Sequence, residues 1–320
     1  MKRWLRVLAF IAGAAVLVVL VRQVGIPAVV RGAQAVGWLL IPIILIHGVV
    51  YGLNSVAWWL TLAPEPGCPP FLTIVQISLT GFAINFLTPV VNAGGEPYRI
   101  AALARWIGTR RAAGSVLQYG LLHAISSILM WLTAVVLALV IGVAGRGVQV
   151  GLGALAVAIT GALAVVLTGH RHGFVGKLAG WVGRLRLGRL SEWIHSREEG
   201  FRAVDAQITA LHRERPGRLG AAVAIDYVSR LVAAGEVYFV AAAIGQAIGY
   251  PAALMISGLS ALAVNLLFML PWELGSREGS LYFLFGLAGV PASVGLVTAV
   301  VTRARELSWT AIGMAVAAVA

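Results

Sequence analysis

Long apolar stretches alternate with short polar ones along the whole chain. Runs of helix length fall at about residues 4–24, 37–63, 112–143, 147–169, 219–248 and 291–319. Each can cross a hydrocarbon layer of roughly 30 Å, so the pattern predicts six transmembrane helices. Two further apolar regions are interrupted, 71–89 then 95–107 and 252–270 then 277–289, with Pro and Gly at both interruptions. Backbone that leaves the helix at membrane depth must be sheltered by protein, so these regions predict two re-entrant or broken helix pairs. The expected fold class is an all-α polytopic membrane protein.

The two interruptions are related. Sliding the sequence by 182 residues superposes Pro69 on Pro251, Ser78 on Ser260, Phe86 on Phe268, Pro89 on Pro271 and Glu96 on Glu278. Both interruptions read Pro-x6-Glu, and each follows an apolar stretch with an Asn, Asn85 and Asn265, displaced by two positions in that alignment. This predicts a single membrane domain, 1–320, with a first repeat over 37–169 and a second over 219–320. The intervening 170–218 holds ten Lys/Arg against five Asp/Glu, with Trp181 and Trp193 among them. It predicts amphipathic helices on the cytoplasmic surface.

Charge sets the orientation. Lys2, Arg3, Arg6, Arg105, Arg110, Arg111 and the basic connector fall on one side, against Arg22, Arg31 and Arg146 on the other. By the positive-inside rule the N-terminus is cytoplasmic and the two repeats are inverted relative to one another; a bacterial inner membrane is the expected location. No small-x-small cleavage pattern precedes Arg22, so residues 4–24 read as a retained helix rather than a signal peptide.

Composition agrees with that pattern and removes other classes. With 60% hydrophobic residues, 11% charged and a mean hydropathy of +0.91, there is more apolar surface than one water-facing core can hide. The net charge of +12 therefore reports topology and not nucleic-acid binding. A single cysteine, Cys68, allows no intramolecular disulfide and no cysteine-rich metal site, and His170-Arg171-His172 is a poor one; no metal or cofactor is expected. Nucleotide-binding loops and common hydrolase motifs are absent from the sequence, so an enzyme is not the expected reading.

Charged residues inside apolar runs are the candidates for function. Glu96 sits in Asn92-Ala93-Gly94-Gly95-Glu96-Pro97-Tyr98-Arg99 and Glu278 in Pro271-Trp272-Glu273-Leu274-Gly275-Ser276-Arg277-Glu278-Gly279. Near a helix N-terminus either carboxylate can serve as a cap or as a ligand group, and both readings stand. Arg99 and Arg277 lie close by in sequence, either to neutralise these glutamates or to bind a lipid phosphate. Asp226 and Arg230, spaced i, i+4, predict a buried ion pair, with Glu236 further along the same run. Arg303, Arg305 and Glu306 interrupt the last span near its middle and should face the protein interior or a wet cavity. His47, Asn54 and His123 read as interhelical hydrogen-bonding groups. Gly147-x3-Gly151 is a small-residue spacing that suits a contact in a homo-oligomer.

The stretch from Asn85-Phe86-Leu87-Thr88-Pro89 to Gly94-Gly95-Glu96-Pro97-Tyr98-Arg99, with Pro271 to Gly275 and Glu278, resembles the lysylphosphatidylglycerol synthase transmembrane family, also called flippase-like. The resemblance covers nearly the whole chain. It implies a flippase for a polar lipid, such as an anionic or aminoacylated phospholipid. The implied head-group site takes Glu96, Arg99, Arg277, Glu278, Arg303 and Arg305, with Asn85, Asn92 and Asn265. In two-domain relatives a soluble aminoacyl-transfer domain follows; this chain ends near the last span and resembles the flippase half. The Trp272-Glu273-Leu274 sequence departs from the glycine-rich pattern of the family. The alternatives are a membrane-embedded enzyme or accessory subunit of polar-lipid synthesis, and a proton-coupled solute transporter.

Overall fold

The computed structural model describes residues 26–62, 67–88, 94–143, 145–172, 216–267, 270 and 273–319. The expected span 4–24, nearly all of the connector 170–218, and Asn92, Pro89 and Pro271 lie outside the described residues. Among the described residues the regular structure is helical throughout: α1 (Ile26–Val36), α2 (Leu40–Leu62), α3 (Phe71–Leu87), α4 (Gly95–Ile107), α5 (Thr109–Ile141), α6 (Arg146–His172), α7 (Pro216–Ala233), α8 (Gly235–Ala243), α9 (Tyr250–Leu266), α10 (Ser276–Leu287) and α11 (Ser293–Val319).

The broken pairs fall where the sequence puts them, as α3 with α4 and α9 with α10. Among the described residues, three segments meet the length and apolarity needed to cross a bilayer: Val30–Leu62, Thr109–Ile141 and Arg146–Thr168. The expected span 219–248 is not one helix. It turns at Ala234 and ends at Ala243, and Gly235 and Glu236 open the second piece. The span 291–319 is continuous from Ser293, but Arg303, Arg305 and Glu306 at its centre make it too polar to face lipid all round. Residues 26–36, expected to connect two spans, instead form α1. Its chain continues through a short 3-10 turn, Gly37–Leu39, into α2, because nothing between Pro27 and Gly37 breaks a helix.

Many outward side chains are large and apolar, including Leu45, Val140, Val157 and Phe283, which in water would be an aggregating surface and in lipid is the solvent-matched one. Inside, α2 packs along α7, α3 along α11 and α9 along α5. The 182-residue offset carries α3 onto α9 and α5 onto α11, so the last two contacts correspond. Each depends on close backbone approach. A Cβ on Gly313 would lie 2.5 Å from the Leu79 carbonyl oxygen, and one on Gly258 would lie 2.5 Å from the Ala134 methyl. These contacts bring the polar middle of α11 beside both breaks.

Candidate functional site

At the first break Asn85, near the end of α3, reaches across to the start of α4. Its Oδ1 accepts from the Gly95 N–H at 2.5 Å and its Nδ2 donates to Glu96 Oε1 at 3.2 Å. The side chain thus caps a helix that has no cap of its own. Glu96 also meets Arg99 Nη1 at 3.5 Å, yet its side chain is 43% exposed. Glu96 Oε2 and Arg99 Nε have no hydrogen-bond partner. The two half-helices touch here: a Cβ on Gly95 would sit 2.2 Å from the Gly81 carbonyl oxygen.

At the second break Glu278 caps its own helix, its Oε2 accepting from the Gly275 N–H at 2.8 Å. Gly275 has φ +79°, a conformation that favours glycine, and Glu273 just before it is at φ +57°. Glu278 is buried, and Arg303 Nη2 of α11 lies 3.3 Å from its Oε1. Arg277 pairs with Glu273, four residues back, and with Glu306 of α11. Arg303 also faces Glu306, at 3.5 Å. Arg305, on the next side of α11, is 3.1 Å from Glu236 Oε2 and 3.7 Å from Glu306 Oε1. Glu236 in turn meets His47 Nε2 at 3.3 Å and the Thr302 hydroxyl at 2.5 Å. The whole is one ionic network spanning α2, α8, α10 and α11.

A separate cluster surrounds Asp226, which is fully buried in α7. It meets His123 Nδ1 at 3.1 Å, the Ser126 hydroxyl, and Arg230 Nε at 3.7 Å. Arg230 also donates to Ser126 Oγ and to the His123 carbonyl oxygen, and Ser229 donates to Asn54 Oδ1 at 2.6 Å. These bonds tie α7 to α5 and α2.

Two cavities adjoin the network. One, of about 260 Å³, is lined by His47, Glu236, Asn265, Glu273, Arg277, Thr302 and Arg305 among others. The other, of about 180 Å³, is lined by Phe82, Asn85, Phe86, Glu273, Arg277, Arg303 and Glu306. Glu273 and Arg277 line both, so this ion pair stands in the wall between them. Asn85 from the first break and Asn265 from the second lie on its two sides.

Of the sequence-derived candidates, the structure brings Asn85, Arg277, Arg303, Arg305, Asn265 and Glu306 to these cavities, with Glu96 and Arg99 attached through Asn85 and Glu278 through Arg303. Two expectations change. Arg277 does not neutralise Glu278, because adjacent helical residues point about 100° apart; its partners are i−4 and across on α11. Glu236 does not belong with Asp226 and Arg230; the turn at Ala234 directs it to α11. Asn265, which the repeat sets beside Asn85, donates its Nδ2 to Ala261 within its own helix and does not bridge the second break. Glu273 is a site residue that the sequence pattern does not single out, although its i, i+4 spacing to Arg277 is a signal for it. His47 and His123 are carboxylate partners rather than lone bridging groups. For those two only their position inside an apolar run was a signal.

No curated protein matches the chain. The family described as the lysylphosphatidylglycerol synthase TM region matches residues 4–313. With its helices, its apolar exterior and its buried ionic interior, the chain is a multi-pass membrane protein that belongs to the lysylphosphatidylglycerol synthase TM region family.

Proposed function

We propose that the chain moves the head group of a polar lipid, phosphate-bearing or amino-modified, between the leaflets of the bacterial inner membrane. The tails stay in the bilayer, the N-terminus is cytoplasmic, and the two repeats are inverted. The observation that carries this reading is the ion pair Glu273–Arg277 between two cavities, inside a helical body whose outer faces suit lipid. Guanidinium groups of Arg277, Arg303 and Arg305 match a phosphate, and the carboxylates beside them match an ammonium. Glu96 Oε2 and Arg99 Nε, buried without partners, offer the same pair of chemistries at the first break. Every one of these charges costs energy at membrane depth, and mutual pairing alone would be achieved more cheaply by apolar side chains. In this reading the chain is a transporter and performs no reaction on the lipid.

The test is native mass spectrometry of the purified protein, wild type beside Glu96→Gln and Glu278→Gln, joined to transfer of fluorescent phosphatidylglycerol, aminoacylated phosphatidylglycerol and phosphatidylethanolamine across proteoliposomes. A defined polar lipid retained by wild type and lost from both variants, with transfer lost in parallel, is the expected result. Equal retention and equal transfer by all three proteins would overturn the reading.

A further inference from the structure

The His47–Glu236 pair differs from the rest of the network because both nitrogens of its imidazole face acceptors. Nδ1 lies 3.3 Å from the carbonyl oxygen of Ile43, one turn back on α2. Nε2 lies 3.3 Å from Glu236 Oε2 on α8. A neutral imidazole carries one N–H and satisfies one of these acceptors; at the other, a lone pair faces a lone pair. Both residues are buried, so the mismatch is costly. With Nδ1–H donating to Ile43, a second proton on the line between Nε2 and Oε2, bonded to either atom, removes it. Glu236 Oε1 remains free to accept from Thr302, 2.5 Å away.

The charges around the pair point the same way. Glu236, Glu273, Glu278 and Glu306 are joined by ion pairs to Arg277, Arg303 and Arg305. Four carboxylates against three guanidiniums leave one negative charge in excess, and one added proton makes the network neutral. An uncompensated buried charge is among the more destabilising things a membrane interior can hold. The groups facing the pair are Arg305 and Glu306 from α11, Glu273 and Arg277 across the cavity, and Tyr51 on α2 itself. On α7 and α5, Asp226, Arg230 and His123 are paired among themselves. None of these supplies the missing positive charge.

We propose that His47 and Glu236 form a proton-binding site that holds one proton between Nε2 and Oε2 in this state, and that its exchange couples cargo movement to the transmembrane proton gradient. Both side chains line the 260 Å³ cavity with Arg277 and Arg305. Release of the proton to water on one side leaves a carboxylate in excess, and Arg305, already 3.1 Å from Glu236 Oε2 and 3.7 Å from Glu306 Oε1, is then drawn more strongly to Glu236. Proton occupancy and the setting of the arginines that line the cavity are therefore linked. The coupling part rests on the translocation proposed above; the proton site does not.

The test uses the full-length protein in lipid nanodiscs and in proteoliposomes. Nitrogen NMR of histidine-labelled protein, with His47→Gln to assign the signal, reads whether His47 is an imidazolium. Infrared difference spectra against Glu236→Gln read a protonated carboxyl. One of the two signatures is expected at neutral pH, and absence of both overturns the site. An imposed pH gradient should then change the transfer rate of the fluorescent lipids several-fold in wild type and leave Glu236→Gln and His47→Gln unresponsive. Transfer by wild type that ignores the gradient overturns the coupling while translocation stands. A proton signature without transfer of any lipid keeps the site and overturns the translocation reading instead.

Discussion

The first break takes its cap from the opposite half-helix: Asn85 holds the Gly95 N–H and leaves Glu96 half exposed with an unpartnered oxygen. The second supplies its own cap through Glu278, and α11 braces it with Arg303 and Glu306. Under the 182-residue offset the glutamates coincide, but Gly95 falls on Arg277. One half places a glycine where two backbones must touch; the other places the cation that organises the network. The same motif thus gives a light, open hairpin in one half and a cross-linked one in the other. The open one is suited to receive a ligand and the cross-linked one to hold the body together until its ion pairs are exchanged.

If that contrast is right, Glu306→Gln should have the largest effect on the fold. It removes the carboxylate shared by Arg277, Arg303 and Arg305, which keep Glu273, Glu278 and Glu236 respectively but lose the group that ties them together, a loss on the order of 2–3 kcal/mol. Glu96→Gln, at a half-exposed site, should cost less than about 1 kcal/mol while still abolishing lipid transfer. Thermal unfolding of both variants in nanodiscs checks this, and equal melting temperatures would break the comparison.

Gly95→Ala comes next. The new methyl would lie 2.2 Å from the Gly81 carbonyl oxygen, so α3 and α4 must part or the backbone must shift, at about 1–3 kcal/mol. Separation of the half-helices also pulls Asn85 from Gly95. We expect lower stability together with loss of transfer, read by the same melting and proteoliposome measurements.

Much of this was legible in the sequence. Pro and Gly marked both breaks, and charged residues inside apolar runs marked the groups that the fold buries together. Arg303 is marked as a charge inside an apolar run and Asn85 by the repeat and the family resemblance, and the structure puts both on one cavity. What could not be read was partnership. Glu278 precedes Arg303 by 25 residues, and only the packing of α11 on α10 joins them. Sequence adjacency made Arg277 look like the partner of Glu278, although helix geometry turns the two side chains apart. The turn at Ala234 was hidden for a related reason. Alanine and glycine do not stand out in an apolar run, and the second piece is tied to α11 by the hydrogen bond that Glu236 accepts from Thr302 and by its ion pair with Arg305.

The smallest effect separates the two asparagines, which the repeat presents as equivalents. Asn85→Ala deletes the cap on Gly95 and the bond to Glu96, leaving a helix N-terminus unsatisfied beside the break; the expected cost is about 1–2 kcal/mol. Asn265→Ala deletes only a bond to the carbonyl of its own helix, which already serves the backbone, from an exposed side chain; the expected change is within about 0.5 kcal/mol. Because Asn265 still lines the larger cavity, a change in lipid transfer without a change in melting would assign it to the cargo path. Equal destabilisation by the two substitutions would mean that the halves share their capping as well as their motif, and the light-versus-braced distinction would fail.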